Sequence, residues 1–252
     1  MANNSNPGIQ RHIDNPANTI VSSTAGTTVT WATQTAGSAT DFVRAVAAGK
    51  PLHYFGVMDA VDNSQSEFAS NNLHFTGQNG HCEVEISVAF EDCSEHAFTF
   101  GFNDTVQDGN FLIDISATTM TKVSSDFCGF LYDGVDATNK DLHCVWVATD
   151  VIGTADMDGS IEGQEIRMRG MAPTDGKWLY MKVSLDDRGS GNGLRATFLA
   201  VDHLGRSMEK VFNTTVARTT PFCFHFGVEN RTDTGGDVFI INPNWAQTIP
   251  EL

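Results

Sequence analysis

The stretch HCEVEISVAF, residues 81–90, alternates apolar and polar side chains with a period of two. In an extended strand its apolar side chains share one face, while Glu83 and Glu85 share the opposite face. The stretch HAFTFGF, residues 96–102, follows after a short gap and places a phenylalanine at every second position. Two neighbouring segments of this kind predict an antiparallel pair of strands, with one face in a core and the other face in water.

Further segments repeat this alternation, and each is bounded by Gly, Asp, Asn or Thr. They are FLIDISA (111–117), FCGFLYD (127–133), HCVWVAT (143–149), EIRMRG (165–170), KWLYMKVSLDD (177–187), GLRATFLAVD (193–202), FCFHFGVEN (222–230) and DVFIINPN (237–244). Together with the first two they predict about ten to twelve short strands, as in an all-β sandwich or jelly roll. Only DFVRAVAA, Asp41 to Ala48, predicts a short helix, because Asp41 is a good N-cap and Gly49 and Pro51 would end it.

The composition and the charge exclude several classes of partner. The 252 residues include 17 Phe but only 3 Tyr, which predicts an interior rich in phenylalanine. The 31 acidic and 15 basic side chains give a formal net charge of −16, so we expect no nucleic-acid partner. We also expect no membrane partner and synthesis in the cytoplasm, because no run of 18 apolar residues occurs and the polar start MANNSNPG lacks a secretory signal.

The five cysteines form an odd set without a Cys-x-x-Cys pair, and most of them lie in predicted strands. They are Cys82, Cys93, Cys128, Cys144 and Cys223. We interpret them as reduced thiols in or near the core. A zinc site that uses neighbours such as Cys93 and His96 is the alternative, although no pair repeats with the spacing of zinc ligands.

Residues 1–50 differ in composition from the rest of the chain. Thr, Ser, Ala and Gly predominate there, and Trp31 is nearly the only large side chain. Such a segment cannot bury enough apolar surface to form a core of its own. We therefore predict an extended N-terminal arm over residues 1–50 and a β-sandwich over residues 51–252. The arm is either flexible or a docking segment that becomes ordered on a neighbouring subunit, with Trp31 as a contact to that partner.

The segment Lys177–Asn244 contains a recognisable order of features: a Trp-initiated strand, a glycine loop, ATFLAVD, PFCFHFGVENRT and DVFIINPN. This order is similar to that of the concanavalin A-like (laminin G-like) jelly-roll domains of tailed-bacteriophage virion structural proteins. The resemblance extends over about Phe75–Asn244 and is carried by Trp178, Phe198, Asp202, Gly205, Gly227, Glu229, Asn230, Arg231 and Thr232. In this chain His203 and Leu204 separate Asp202 from Gly205, so the turn is longer than the Asp-Gly turn of the family.

The resemblance implies a concanavalin A-like β-sandwich and a non-enzymatic bacteriophage virion structural protein. Such a protein would decorate or cement the capsid, or else belong to the tail. It would be located in the virion, contact other virion proteins and form a homo-oligomer. The alternative is a lectin-like carbohydrate-binding module for host attachment, with a glycan as partner. A glycanase is a third hypothesis, because the same sandwich serves lectins, glycanases and structural proteins.

One loop has the spacing of a calcium site. In TADMDGSIEGQE, Asp156, Asp158 and Glu165 stand where an EF-hand loop has its third, fifth and last ligands, and Gly159 stands where that loop bends. The first position is Thr154 instead of an aspartate, and the flanking segments predict strands. The alternative is an acidic surface hairpin whose Asp and Gly are turn residues. We expect no cofactor, with calcium at this loop as the alternative.

Two aromatic residues and two carboxylates are the remaining candidates. Trp178 and Tyr180 share one face of their predicted strand, so they could contact a sugar or a partner, with packing in the core as the alternative. A glycanase would need a carboxylate pair on either side of the scissile bond. Glu83 and Glu85 are the nearest approach, but Ile86–Phe90 separates them from the next acidic residues. We therefore predict no catalytic residue and outward, solvated carboxylates.

Overall fold

The computed structural model describes residues 9–12, 21–22, 31–37, 39–45, 52–73, 75–106, 112–116, 119–135, 140–152 and 166–248. Most of these residues belong to two large sheets that pack face to face, which confirms the predicted all-β sandwich. The only helical elements in this part of the chain are two single 3-10 turns, Gly77–Asn79 and Cys93–Glu95. None of the helices described is long and apolar enough to cross a membrane.

Sheet A has eight strands. In spatial order they are β17 (Ser207–Asn213), β16 (Leu194–Val201), β15 (Leu179–Asp187), β7 (His81–Phe90), β19 (Gly236–Thr248), β5 (His53–Met58) and β4 (Val43–Ala45), while β1 (Ile9–His12) pairs with the end of β19. The central strand β7 is the first stretch quoted above. A register shift in β19, between Ile241 and Asn244, interrupts its ladder with β7.

Sheet B has nine strands. In spatial order they are β13 (Val151–Ile152), β12 (Leu142–Ala148), β11 (Phe127–Asp133), β8 (His96–Asn103), β18 (Cys223–Asn230), β6 (Gln65–Ser70), β3 (Trp31–Ala36) and β2 (Val21–Ser22), while β14 (Arg167–Met168) also pairs with β12. A separate hairpin consists of β9 (Ile113–Ser116) and β10 (Thr119–Lys122). All of these pairs are antiparallel except β2 with β3.

Phenylalanine side chains fill the space between the sheets, as the composition predicts. Phe98, Phe100 and Phe102 of β8 are all fully buried. The ring of Phe98 stacks on that of Phe90 from β7, with centroids 5.3 Å apart. The predicted antiparallel pair of β7 and β8 is therefore wrong, because the two strands belong to opposite sheets and meet through side chains across the core. The shared face of HAFTFGF is therefore the core face of sheet B.

The residues that carry the family resemblance hold the corners of the sandwich. The buried Asn230 side chain donates hydrogen bonds to the backbone carbonyls of Asp59 and Thr232, both at 2.7 Å. The Arg231 guanidinium binds Glu229 at 2.5 Å and Asp133 at 2.9 Å, and thereby connects β18 to β11. These contacts explain the motif as a requirement of the fold.

The longer Asp-Gly turn is also explained by its hydrogen bonds. The carboxylate of Asp202 accepts from the backbone N–H groups of Leu204 and Arg206, both at 2.9 Å. Gly205 has a φ of 79°, a left-handed conformation that glycine adopts without strain. The two inserted residues therefore leave the turn between β16 and β17 well defined.

The predicted helix over Asp41 to Ala48 is wrong where the structure describes it. Val43–Ala45 forms β4 and pairs with β5. Phe42 is fully buried against Phe68 and Phe226, whereas its neighbour Val43 is 52% exposed. This alternation and the cross-strand pairing outweigh the local helix signals, as tertiary contacts often do.

The described parts of residues 1–50 contribute strands to both sheets. β3 pairs with β6 over its whole length, β4 pairs with β5, and β1 pairs with β19. Trp31 is fully buried in this chain, where its ring stacks on Phe68 with centroids 4.8 Å apart. The division at residue 50 stays a prediction, but the residues around Trp31 are part of the sandwich of their own chain.

The five cysteines are buried and free, as predicted. Burial raises the pKa of each of their thiols, so they are protonated at neutral pH. Among the residues that the structure describes, no cluster of His, Cys, Asp or Glu side chains has the geometry of a metal site.

Candidate functional site

The outer face of sheet A carries an ordered set of polar side chains. Glu83 and Glu85 of β7 point away from the core, as predicted, because the alternate residues Val84 and Ile86 are fully buried. The register places Lys182 of β15 opposite Glu85. Cross-strand neighbours on one face of a sheet lie within reach of each other, so these side chains form one network.

The first half of the network centres on Glu83. Its carboxylate lies 2.8 Å from the Lys182 ammonium and 3.3 Å from the His81 ring. The hydrogen bond from His81 and the charge of Lys182 lower the pKa of Glu83 to about 2, although partial burial acts in the opposite direction. His81 also contacts Asp186 at 2.8 Å, and its two carboxylate neighbours raise its pKa. Glu83 is therefore ionised at neutral pH.

The second half of the network centres on Glu85. Its carboxylate accepts a hydrogen bond of 2.6 Å from the Tyr180 hydroxyl and one of 3.0 Å from the Asn244 amide. Partial burial and the bond to Glu85 raise the pKa of Tyr180, so the phenol stays neutral and acts as a donor. Tyr180 and Asn244 come from the strands on either side of β7, and Glu85 joins them across the sheet.

Aromatic side chains lie on the same face beside the polar network. The Phe239 ring of β19 is 5.3 Å from the Phe55 ring of β5 and 5.4 Å from the His53 ring. Trp178 immediately precedes β15 and has the same parity as Tyr180, which places it on the outer face as well. The Trp178 side chain is half-buried, and it makes no ring contact or hydrogen bond within the described part of the chain. Of these rings, Phe55 and Trp178 are partly exposed beside the polar groups, whereas His53 and Phe239 are buried.

This arrangement suits hydrogen bonding better than acid catalysis. General acid catalysis at a glycosidic bond needs a carboxyl group that is still protonated near neutral pH. Glu83 instead has a lowered pKa, and Glu85 already accepts two hydrogen bonds. Ionised carboxylates, an amide and a phenol are the groups that bind hydroxyl-rich ligands or polar protein surfaces.

A second polar cluster lies on the outer face of sheet B. The His225 ring is 3.3 Å from the Glu67 carboxylate and 3.1 Å from the Thr99 hydroxyl, and all three residues are buried. Gly227 makes room for the ring, since a Cβ atom there would lie 2.9 Å from Nε2. Glu67, His225 and Thr99 stand in the order of the acid, base and hydroxyl nucleophile of a catalytic triad. The pocket beside them has room for about one water molecule. The cluster therefore joins strands β6, β18 and β8 through buried hydrogen bonds.

No family model and no curated protein sequence matches the chain. A solved protein of unknown function from Shewanella oneidensis MR-1 matches with a TM-score of 0.56 at 11% identity, over 98% of this chain and 90% of that one. Peanut lectin, solved with a nine-residue peptide, matches with a TM-score of 0.56 at 9% identity, over 96% and 99%. An alginate lyase from Aplysia kurodai matches with a TM-score of 0.55 at 9% identity, over 82% and 87%.

The fold is the concanavalin A-like β-sandwich. At such low identity the similarity is one of fold alone. A lectin and a lyase share the architecture, so the fold does not decide between binding and catalysis. Evidence about the function must therefore come from the residues on the faces of this concanavalin A-like sandwich.

The predicted site residues have different positions in this concanavalin A-like sandwich. Trp178 and Tyr180 lie on the outer face of sheet A, where Tyr180 joins the polar network. Trp31 lies in the core. The calcium ligands proposed from the sequence, Asp156, Asp158 and Glu165, lie outside the described residues. Asn244 was not predicted as a site residue, because a single asparagine near the end of the last strand has no sequence signal that connects it to Glu85.

Proposed function

We propose that this chain is a non-enzymatic structural protein of a bacteriophage virion. Its concanavalin A-like sandwich is displayed on the particle, as a decoration or cement protein of the capsid or as a component of the tail. It is made in the host cytoplasm and acts through contacts with other virion proteins.

Support for a non-enzymatic role comes from one observation on the accessible face of sheet A. Its two central carboxylates are engaged with partners: Glu83 with Lys182 and His81, and Glu85 with Tyr180 and Asn244. A glycanase of the usual kind keeps one carboxyl group protonated and a second one free to attack or to activate water. The charge state of Glu83 fits ligand or partner binding instead.

Support for the virion comes from the sequence resemblance and from the charge. The segment Lys177–Asn244 resembles virion jelly rolls, and its characteristic residues Asn230 and Arg231 make the corner contacts of the sandwich. A net charge of −16 on 252 residues keeps copies on a crowded particle soluble and mutually repulsive outside their specific contacts.

We expect the chain to be present in a defined copy number in purified particles of a phage that encodes it. The measurement is quantitative peptide mass spectrometry of particles banded by density. Immunogold labelling of the same particles with an antibody to the recombinant protein distinguishes capsid from tail. Recovery of the chain only from the soluble lysate, with none in the banded particles, would count against a virion role.

A lectin-like carbohydrate-binding module for host attachment is the second candidate function. The observation that favours it is the half-buried Trp178 beside the hydrogen-bonding groups of Tyr180 and Glu85. Sugar rings stack on exposed aromatic faces while their hydroxyl groups bind neighbouring polar side chains.

If the second candidate is correct, Trp178→Ala is expected to abolish binding to one class of sugar while the fold is retained. A glycan array reports the class, and calorimetry with the best ligand reports the loss of affinity, expected to be at least about tenfold. Val151→Ala, which truncates an exposed side chain on sheet B, is the matched control and should bind as wild type does. Absence of any reproducible glycan hit removes this candidate, and turnover of β-glucan or alginate would contradict a non-enzymatic role.

A further inference from the structure

A line of apolar side chains crosses the outer face of sheet A at right angles to its strands. Phe55 of β5 lies opposite Phe239 of β19, and Phe239 lies opposite Ala89 of β7. The ladder of β15 with β7 begins one residue after Trp178, which places Trp178 beside Ala89. We call these four side chains, Phe55, Phe239, Ala89 and Trp178, the apolar line.

The two ends of the apolar line are partly exposed, and its middle is low. Phe55 and Trp178 are partly accessible, whereas Phe239 is 7% exposed and Ala89 is 4% exposed. Ala89 and its neighbour on the same face, Ser87, have small side chains. Three strand spacings, about 14 Å, separate the backbones of Phe55 and Trp178. The apolar line is therefore a shallow trough with an aromatic ring at each end.

Hydrogen-bonding groups lie along one side of the apolar line. Tyr180 and Ser87 are opposite each other in the register, on the same face and one step further along the strands. The Tyr180 hydroxyl donates to Glu85, so its oxygen can still accept a hydrogen bond. Sugar residues have apolar ring faces and hydroxyl groups at their edges. Aromatic rings beside hydroxyl and carboxylate groups match both parts of such a ligand.

Carboxylates flank the apolar line on both sides. Glu85 and the ionised Glu83 lie on one side, where the ammonium of Lys182 is already bound to Glu83. Asp237 and Glu91 lie on the other side, and the Asp237 N–H donates to the Glu91 carboxylate at 3.3 Å. Negative charge at both edges repels anionic ligands, and it also repels the same face of a second copy of this chain. An uncharged, hydroxyl-rich ligand meets no such repulsion.

We propose that the apolar line binds an uncharged polysaccharide, which lies extended across strands β5, β19, β7 and β15. One sugar residue stacks on Trp178 and another on Phe55. The residues between them lie over Ala89, with hydroxyl groups towards Tyr180. A single sugar residue is too short to reach both rings over about 14 Å, so the site selects the interior of a polymer. The proposal rests on the lectin-like candidate function, to which it adds a ligand class and a second contact at Phe55.

Affinity gel electrophoresis with soluble polysaccharides tests the ligand class. We expect the intact chain to be retarded by at least one uncharged polymer among barley β-glucan, galactomannan, arabinoxylan and dextran, and not by alginate, which is anionic. The constituent monosaccharides of the polymer that binds should not restore the mobility. Retardation by alginate, or competition by a monosaccharide as effective as that by the polymer, would overturn the proposal. Normal mobility in every uncharged polymer would overturn both the proposal and the lectin-like candidate.

Two variants test the far end and the middle of the apolar line. Phe55→Ala removes the ring farthest from Trp178 and is expected to weaken binding to the polymer at least about tenfold. Ser87→Arg places a long side chain over the trough at a partly exposed position, and the same loss is expected. Val211→Arg, at a valine that is 41% exposed on the same face, is the matched control and should bind as the wild type does. Circular dichroism reports whether each variant is folded.

The variants also separate an extended site from a site for one sugar. If Phe55→Ala and Ser87→Arg bind as the wild type does while Trp178→Ala does not, the extended site is overturned and the lectin-like candidate stands. Loss of binding in all three variants, with binding retained in Val211→Arg, is the result expected for the extended site. These outcomes do not depend on a virion location, which the analysis of purified particles tests separately.

Discussion

A chain that begins at residue 51 is expected not to fold. The truncation removes Trp31 and Phe42, which are both fully buried, and with them strands β3 and β4. Loss of a buried aromatic side chain costs about 3–5 kcal/mol, so two such losses approach the whole stability of an ordinary domain, about 5–15 kcal/mol. Phe68 and Phe226 would lose ring partners and face water. The far- and near-ultraviolet circular dichroism of the truncated chain measures the result.

A chain that begins at residue 30 is the matched control, because it keeps β3 and β4 and is expected to fold. The full-length variant Trp31→Ala separates the side chain from the strand, with an expected loss of about 3–5 kcal/mol in urea unfolding. If the chain from residue 51 were to show a cooperative transition like that of the intact protein, the first 50 residues would be an independent arm after all. In that case Trp31 would again be a candidate contact to a neighbouring subunit.

The alternation in the sequence predicts the faces of the strands but not their neighbours. In β7 the alternate side chains lie on their predicted faces, because a period of two is a local property of the backbone. In β8 both faces are buried, so the predicted wet face of that strand is wrong. Glu85, in contrast, takes its partners from positions 95 and 159 residues further along the chain. The register between distant strands sets these contacts, and a single sequence carries no direct signal of that register.

The difference between local preferences and long-range contacts also explains why the predicted helix over Asp41 to Ala48 is wrong. The segment contains a good N-cap and helix-favouring alanines, and these local preferences are worth only tenths of a kcal/mol per residue. Burial of the Phe42 ring between Phe68 and Phe226 is worth more than these preferences, about 1.5–3 kcal/mol. A phenylalanine beside an exposed valine is the one sign of a strand in this segment, and it is too short a pattern to decide the prediction.

The protein is expected to lose about 2 kcal/mol of stability between pH 7 and pH 5 because of His96. This ring is fully buried, and among the described residues its nitrogens make no hydrogen bond of standard geometry, although the Asn230 side chain lies close enough to favour the protonated ring. Burial lowers the pKa of His96 to about 4, although the nearby charges of Asp92 and Glu95 act in the opposite direction. The unfolded chain, with a histidine pKa of about 6.5, therefore binds the proton more tightly. The contribution of neutral His96 is complete above about pH 6.5 and is lost as the pH falls towards 4.

A comparison of unfolding free energies isolates this effect. His81 has a raised pKa and so adds stability at low pH, with the opposite sign, but it is common to the wild type and to His96→Phe. The difference in unfolding free energy between the wild type and His96→Phe should change by about 2 kcal/mol between pH 7 and pH 5. The variant is expected to lose less stability in acid than the wild type does. His203→Gln, at an exposed histidine, should behave as the wild type does. Equal pH dependence in the wild type and in His96→Phe would mean that His96 takes up a proton in the folded protein, and hence that an acceptor reaches its ring.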